Sequence, residues 1–202
     1  MIRALLFDMG NVLIHFSHER MYRQLGELVG RDGADVERWL HESGLFDGYE
    51  TGLVTTDELR IELGHLAGRP IDATALDRAA SDIFWLNEPM EPVIDRLATS
   101  GLPLVLVSNT CETHFRWGSN RFRLLRHFTR RVLSYEVGAC KPAPAIFEAA
   151  SRAADVPPAA CFFTDDTPGH VEAARLLGFD AVVFQNAPQI VAELNARGFK
   201  FA

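Results

Sequence analysis

The amino-acid sequence predicts an α/β fold, a doubly wound parallel sheet with a small α-helical unit inserted after its first strand. Two observations lead to this prediction. Short apolar runs alternate with helix-like segments along most of the chain, which is typical of a parallel sheet with helices on both faces. By contrast, the interval from Ser17 to Asn87 lacks strand-like runs and is typical of helices.

Five apolar runs are the predicted strands of this sheet. They are Ala4–Phe7, Leu102–Val107, Val132–Leu133, Cys161–Phe163 and Ala181–Phe184. Helix-like segments such as Pro144–Ala154 and Val171–Leu177 separate the later runs. Because ligands bind at the carboxyl ends of the strands in open parallel sheets, the polar residues that follow these runs are the candidates for a functional site.

The insertion is predicted to contain four helices, with glycines between them. These helices are His18–Val29, Ala34–Ser43, Thr56–Ala67 and Ala73–Trp85. Thr55 and Glu58 have the spacing of a capping box at the start of the third helix. We therefore expect two domains, an α/β core made of residues 1–16 and 88–202 and a helical cap made of residues 17–87.

Composition excludes several classes of function. The chain has 202 residues, of which 48% are hydrophobic, enough for a sizeable core. Its net charge of −7 argues against nucleic-acid binding through a basic surface. No run approaches a membrane span and the N-terminus does not resemble a signal peptide, so no membrane partner is expected. The three cysteines lack metal-site spacing, which favours a reducing, cytoplasmic location.

Polar residues with candidate chemistry follow four of the predicted strands. In chain order they are Asp8, then Ser108 and Asn109, then Lys141, and finally Asp165 and Asp166. We expect them to meet at one edge of the sheet, although they are far apart in sequence. Three carboxylates brought together raise one another's pKa values unless a cation lies between them. Oxygen ligands with open positions suit Mg²⁺, which also accepts the phosphate oxygens of a substrate.

This cluster would suit the transfer of a phosphoryl group. Lys141 adds a second positive charge, and Ser108 and Asn109 add hydrogen-bond donors. Asp8 would attack phosphorus and form an aspartyl-phosphate, while the metal and Lys141 stabilise the charge on the transferring group.

Four motifs in this order resemble those of the haloacid dehalogenase-like hydrolase superfamily. They are Phe-Asp-Met-Gly-Asn-Val-Leu, Val-Leu-Val-Ser-Asn-Thr, Cys-Lys-Pro-Ala-Pro-Ala-Ile-Phe-Glu, and Phe-Phe-Thr-Asp-Asp followed by Val-Glu-Ala-Ala-Arg. The resemblance covers essentially the whole chain. It implies a Rossmann-like core and identifies the helical insertion as a C1-type cap, which closes over the substrate.

The resemblance also implies roles for individual residues. Asp8 would be the nucleophile, and Lys141 would assist catalysis. The implied Mg²⁺ ligands are Asp8, the backbone carbonyl of Gly10, Asp166, and Asp165 directly or through water. The implied phosphate-binding residues are Ser108, Asn109 and Lys141. Asn11 would either contact the substrate or only complete the turn after the first strand.

Two positions depart from the pattern of the superfamily. Most of its phosphatases carry an aspartate where this chain has Gly10, and that acid protonates the leaving group and later activates water. General acid–base catalysis is typically worth roughly 10²–10⁴-fold. However, the Asp-x-Gly-Asn form resembles a branch that includes phosphatases similar to a bacterial glucose-1-phosphate phosphatase, whose anomeric leaving group needs less proton assistance. His170 stands where relatives often have asparagine, at a position expected to be peripheral.

Three functions follow as hypotheses. The first is a Mg²⁺-dependent phosphatase for a small phosphorylated metabolite, such as a sugar phosphate. The second is a metal-independent 2-haloacid dehalogenase, although Asp165 and Asp166 would repel a carboxylate substrate. The third is a catalytically weak protein that binds a phosphorylated ligand or a protein partner, which the missing acid at Gly10 suggests.

A monomer and a homodimer are both compatible with the sequence. Aromatic residues of the insertion, such as Phe46, are more typical of a helical core than of a substrate contact.

Overall fold

A computed structural model describes residues 1–200 of the chain. The strands are β1 (Ala4–Phe7), β2 (Ile14–Phe16), β3 (Phe84–Leu86), β4 (Leu104–Ser108), β5 (Arg130–Leu133), β6 (Cys161–Asp165) and β7 (Asp180–Val183). The α-helices are α1 (His18–Val29), α2 (Gly33–Glu42), α3 (Leu45–Glu50), α4 (Thr56–Ala67), α5 (Ala73–Ser81), α6 (Glu91–Ala98), α7 (Glu112–Arg121), α8 (Ser134–Val137), α9 (Pro144–Ala154), α10 (Pro168–Leu176) and α11 (Ala187–Ala196). Among these helices of residues 1–200, none is both long and apolar enough to cross a membrane.

Five of the strands form one parallel sheet in the order β5-β4-β1-β6-β7, which confirms the predicted α/β fold. β1 is the central strand, and all four of its residues are fully buried. Phe7, its last residue, pairs with Leu106 of β4 and with Thr164 of β6. The end of β1 is therefore flanked by the ends of β4 and β6, and Asp8 follows directly.

Helices cover both faces of the sheet. Because successive residues of a strand point to opposite faces, Leu5 and Phe7 contribute to one apolar cluster and Leu6 to the other. The first cluster includes residues of α6 and α11, and the second includes residues of α9 and α10. This arrangement is the doubly wound architecture that the alternation of strands and helices predicts.

The inserted segment forms a helical unit with its own apolar cluster, built mainly from α1, α2, α4 and α5. α1 and α4 have the predicted bounds, and the predicted capping box is present, with Thr55 and Glu58 each accepting a hydrogen bond from the other's backbone N–H. The short helix α3 was not predicted. The boundaries 17–87 for a separate cap domain remain a proposal.

The predicted helix Ala73–Trp85 is too long. α5 ends at Ser81, and Phe84–Leu86 forms β3, so the interval 17–87 does contain a strand. β3 pairs antiparallel with β2, which precedes α1. Cross-strand pairing between residues more than 60 positions apart thus outweighs the local helical pattern. Both connections between the sheet and the helical unit run through this two-stranded ribbon.

Candidate active site

A cluster of charged side chains lies at the carboxyl ends of β1 and β6. Its centre is Lys141, which follows α8 and is only 3% exposed. The Lys141 Nζ lies 2.7 Å from Asp8 Oδ1 and 2.6 Å from Asp165 Oδ2, and it donates to the Val107 carbonyl oxygen at 3.0 Å. The first, third and fourth motifs are therefore brought together as the sequence analysis predicts.

Burial and ion pairing set the protonation of this cluster. Burial acts to lower the pKa of Lys141, but the charges of Asp8 and Asp165 outweigh it and raise that pKa, so the side chain is an ammonium. Burial raises the pKa of Asp8 to about 6, although Lys141 opposes the shift. Burial also acts to raise the pKa of Asp165, but hydrogen bonds from His170 and Lys141 and their charges bring it below its ordinary value.

The carboxylates are spaced as the ligands of a metal ion would be. One oxygen each from Asp8, Asp165 and Asp166 lies within 4.8 Å of the other two. Three carboxylates face one ammonium group here, so the cluster has an excess of negative charge when they are ionised. Because hard oxygen ligands and excess negative charge favour a divalent cation such as Mg²⁺, the residues present fit the expected metal.

Asn11 connects the first motif to the fourth. Its backbone is in the left-handed region, with φ at 54°, a conformation in which asparagine is enriched among residues other than glycine. The Asn11 Nδ2 donates to Asp166 Oδ2 at 3.0 Å. The residue thus orients a candidate metal ligand, and its contact with a substrate remains a proposal.

The side chain of Asn109 forms two hydrogen bonds with the backbone of Lys141. Its Oδ1 accepts from the Lys141 backbone N–H at 2.7 Å, and its Nδ2 donates to the Lys141 carbonyl oxygen at 3.0 Å. Asn109 therefore holds the backbone of the segment that carries Lys141. Ser108, which precedes it, is buried at the end of β4 and lines the same cavity. Phosphate binding by Ser108 and Asn109 remains a proposal.

A cavity of about 290 Å³ opens above this cluster. All of the predicted site residues except Asp165 line this cavity. Asp165 is fully buried beneath them. His170 also lines the cavity, and its Nδ1 lies 3.0 Å from Asp165 Oδ1. The sequence predicts a peripheral position for His170, whereas the structure places it against a candidate metal ligand.

The opposite wall of the cavity comes largely from the helical unit, and the sequence analysis missed most of it. Polar groups there come from the start of α1, the end of α3 and the first turn of α7, namely His18, Glu50 and His114. Aromatic rings of Phe16, Phe46 and Phe84 lie beside them. Phe46, expected in the helical core, therefore faces the site as well. No local motif marks these residues, because they meet the site only through tertiary packing.

The ring of Phe16 occupies the space that a side chain at position 10 would need. A Cβ atom placed on Gly10 would lie 2.8 Å from Phe16 Cε1, closer than real atoms approach. The Phe16 ring is itself packed against His18, with ring centroids 4.8 Å apart. A side chain at Gly10 therefore requires Phe16 to move.

Replacement of Gly10 by Asp is expected to destabilise the protein by about 1–3 kcal/mol, because the new side chain displaces the Phe16 ring. Urea unfolding of Gly10→Asp measures this cost. The same substitution in a Phe16→Ala background serves as the control, and there the cost should be smaller. An equal cost in both backgrounds would show that the ring is not the obstacle.

The sequence is similar to a known family of hydrolases and to named phosphatases. The profile of the haloacid dehalogenase-like hydrolase family matches residues 2–178. The chain is 27% identical over 202 residues to D-ribitol-5-phosphate phosphatase of Bacteroides thetaiotaomicron, with 96% of this chain and 97% of that protein covered. It is 26% identical over 212 residues to a phosphatase of Mycobacterium tuberculosis, with 98% and 95% covered.

A solved structure shows the same architecture. A haloacid dehalogenase family enzyme from Bacteroides thetaiotaomicron, crystallised with magnesium and inorganic phosphate, matches with a TM-score of 0.81 at 26% identity. The match covers 92% of this chain and 96% of that chain. The family profile also spans all four motifs whose side chains meet at the ends of β1, β4 and β6. The chain therefore belongs to the haloacid dehalogenase-like hydrolases.

Proposed function

We propose that this hydrolase is a Mg²⁺-dependent phosphatase that cleaves a small phosphomonoester through an aspartyl-phosphate on Asp8. The observation that supports it best is the placement of Asp8 between a buried ammonium group and two further carboxylates. The Lys141 Nζ lies 2.7 Å from Asp8, and Asp165 and Asp166 offer oxygens within 4.8 Å. A group of metal ligands that lies beside a cationic side chain favours the binding of a phosphoryl group.

In this proposal Asp8 is both a metal ligand and the nucleophile, and the other residues support these two roles. Asp8, Asp165, Asp166 and the Gly10 carbonyl would hold Mg²⁺, which supplies positive charge to the phosphoryl oxygens when bound. A carboxylate oxygen of Asp8 forms a bond to phosphorus as the bond to the leaving alcohol breaks. Water then attacks phosphorus, and Asp8 is released with inorganic phosphate. Lys141, fixed by Asn109, offsets the negative charge that both steps bring beside Asp8.

The cavity favours a small substrate, and a sugar or polyol phosphate is the class we propose. The relative named D-ribitol-5-phosphate phosphatase supports this class. The likeness to glucose-1-phosphate phosphatases stays a prediction. Ribitol 5-phosphate is an ester of a primary alcohol, so the argument from an anomeric leaving group does not apply to the substrate of that relative. A phosphatase of such esters needs another way to assist the leaving group.

The two other hypotheses are less well supported. A 2-haloacid carries a carboxylate, which the excess negative charge of Asp8, Asp165 and Asp166 would repel. A catalytically weak binding protein is compatible with Gly10, yet the short contacts of Lys141 with Asp8 and Asp165 favour an active phosphatase. The cytoplasmic location remains a prediction.

The proposed function predicts hydrolysis that depends on Mg²⁺. Purified protein would be assayed for phosphate release on a panel of sugar, polyol and aryl phosphates, with Mg²⁺ and after chelation. We expect chelation to lower kcat/KM by at least about 100-fold and added Mg²⁺ to restore it, since the metal stabilises several kcal/mol of transition-state charge. Absence of turnover on every ester contradicts the proposal. Chloride release from 2-chloropropionate that is insensitive to chelation would support the dehalogenase instead.

A further inference from the structure

The wall of the cavity that faces the charged cluster carries polar groups to which the proposed chemistry assigns no role. Glu50 is the last residue of α3, and its backbone carbonyl oxygen lies 4.0 Å from the Sγ of Cys140, the neighbour of Lys141. This contact places the end of α3 above the segment that carries Lys141. Glu50 lines the cavity together with Asp8. A carboxyl group therefore reaches the cavity from the helical unit.

The side chain of Glu50 has unused hydrogen-bonding capacity. Within residues 1–200 its carboxyl group forms neither a hydrogen bond nor an ion pair. Burial raises the pKa of Glu50. Because a desolvated carboxyl without a partner costs free energy, a ligand that hydrogen-bonds to it binds favourably.

Two histidines that line the same cavity as Glu50 are uncharged. Burial lowers the pKa of His18 and of His114 to about 4, so both rings are neutral at pH 7. The ring of His18 contacts Phe16 and Phe46 and forms no hydrogen bond within residues 1–200, which leaves one donor and one acceptor for a ligand. The His114 Nε2 lies 3.1 Å from the Ala80 carbonyl oxygen, which can only accept, so its Nδ1 is an acceptor.

We propose that Glu50 and His18 bind hydroxyl groups of the leaving alcohol and so make the enzyme selective for polyhydroxylated phosphate esters. The inference rests on the proposed phosphatase function and adds the residues that recognise the alcohol. Hydroxyl groups of a ligand can donate to the Glu50 carboxyl and accept from the His18 ring. The rings of Phe46 and Phe84 line the same cavity and can cover the carbon chain between the hydroxyl groups.

A site built to hydrogen-bond substrate hydroxyl groups discriminates strongly against an analogue without them, because its polar groups then stay unpaired. The wild type should therefore prefer erythritol 4-phosphate to n-butyl phosphate, which has the same number of carbons. In Glu50→Leu we expect kcat/KM for erythritol 4-phosphate to fall by about 10- to 100-fold. Activity on n-butyl phosphate and on the acyl phosphate acetyl phosphate should change by less than about threefold, since neither compound has an alcohol hydroxyl group for Glu50 to bind.

Two further variants sharpen the experiment. Glu50→Gln keeps hydrogen-bonding capacity and should retain part of the preference. Glu42→Leu removes an exposed carboxyl from α2 of the same helical unit and should leave all three activities unchanged. Calorimetric binding of inorganic phosphate in the presence of Mg²⁺ reports on the charged cluster, and we expect the same affinity in Glu50→Leu as in the wild type.

The outcomes separate this inference from the proposed function. Unchanged preference in Glu50→Leu overturns the inference alone. An equal loss on erythritol 4-phosphate and n-butyl phosphate, with acetyl phosphate unaffected, also overturns it, because that pattern identifies Glu50 as a proton donor to poor leaving groups. A wild type that hydrolyses none of the three compounds with Mg²⁺ contradicts the proposed function and the inference with it.

Discussion

Asp8→Asn is expected to abolish phosphate-ester hydrolysis, with a fall in kcat of at least about 10⁴-fold, as for the loss of other covalent nucleophiles. The amide has nearly the same shape as the carboxylate, and its oxygen can still accept a hydrogen bond from the Lys141 Nζ. It is a poor nucleophile, however, and cannot form an aspartyl-phosphate. Steady-state phosphate release with saturating Mg²⁺ measures the loss, and circular dichroism checks the fold.

The matched control for this experiment is Asp155→Asn. Asp155 is exposed at the C-terminal end of α9, with a left-handed φ of 58° that asparagine also adopts. We expect this variant to retain full activity, because the change is chemically the same but lies outside the cavity. If Asp8→Asn keeps more than about one per cent of wild-type kcat, a mechanism through a covalent intermediate on Asp8 is wrong.

Lys141→Met is expected to have the largest effect on stability. The substitution replaces the ammonium group by an apolar chain of similar length and leaves Asp8 and Asp165 buried without their shared counterion. Breaking a buried ion pair in this way costs about 3–5 kcal/mol. Mg²⁺ should restore part of the lost stability, because a cation bound only by the folded state shifts the equilibrium towards it. Urea unfolding with and without Mg²⁺ measures both effects.

The chain offers a matched control, since its only other lysine is the exposed Lys200. Lys200→Met should change the free energy of unfolding by less than about 0.5 kcal/mol. A cost below about 1 kcal/mol for Lys141→Met in the absence of Mg²⁺ would show that the two carboxylates do not need the ammonium group to remain buried. We expect Lys141→Met to lose phosphatase activity whether the stability cost is large or small.

The elements that the sequence predicted well are those with a strong local pattern. β1 and α9 have the predicted bounds because a buried strand is continuously apolar and a proline favours the first turn of a helix. α3 was missed because it has only six residues, with glycines before and inside it. β3 was predicted as helix because its stability comes from pairing with β2, which a local pattern does not show.

The charged cluster could be predicted for a similar reason. Asp8 follows β1 and Asp165 ends the neighbouring strand β6, so the topology of the parallel sheet places these two carboxylates together. The order of the strands does not predict how a single side chain is oriented. The pairing of Asn109 with the Lys141 backbone, and the approach of Glu50 from the helical unit, depend on tertiary contacts.

The central position of β1 also has a consequence for how the protein is made. The strand leaves the ribosome before its partners β4 and β6, which follow about 100 and 160 residues later, so its place in the sheet is completed only after β6 has emerged. The Asp8–Lys141 pair spans 133 residues and the Asn11–Asp166 contact spans 155. Contacts of this range form slowly and late. A nascent chain that ends before β6 has no Asp165 or Asp166, so the carboxylate cluster can assemble only after β6 and Asp166 have been synthesised.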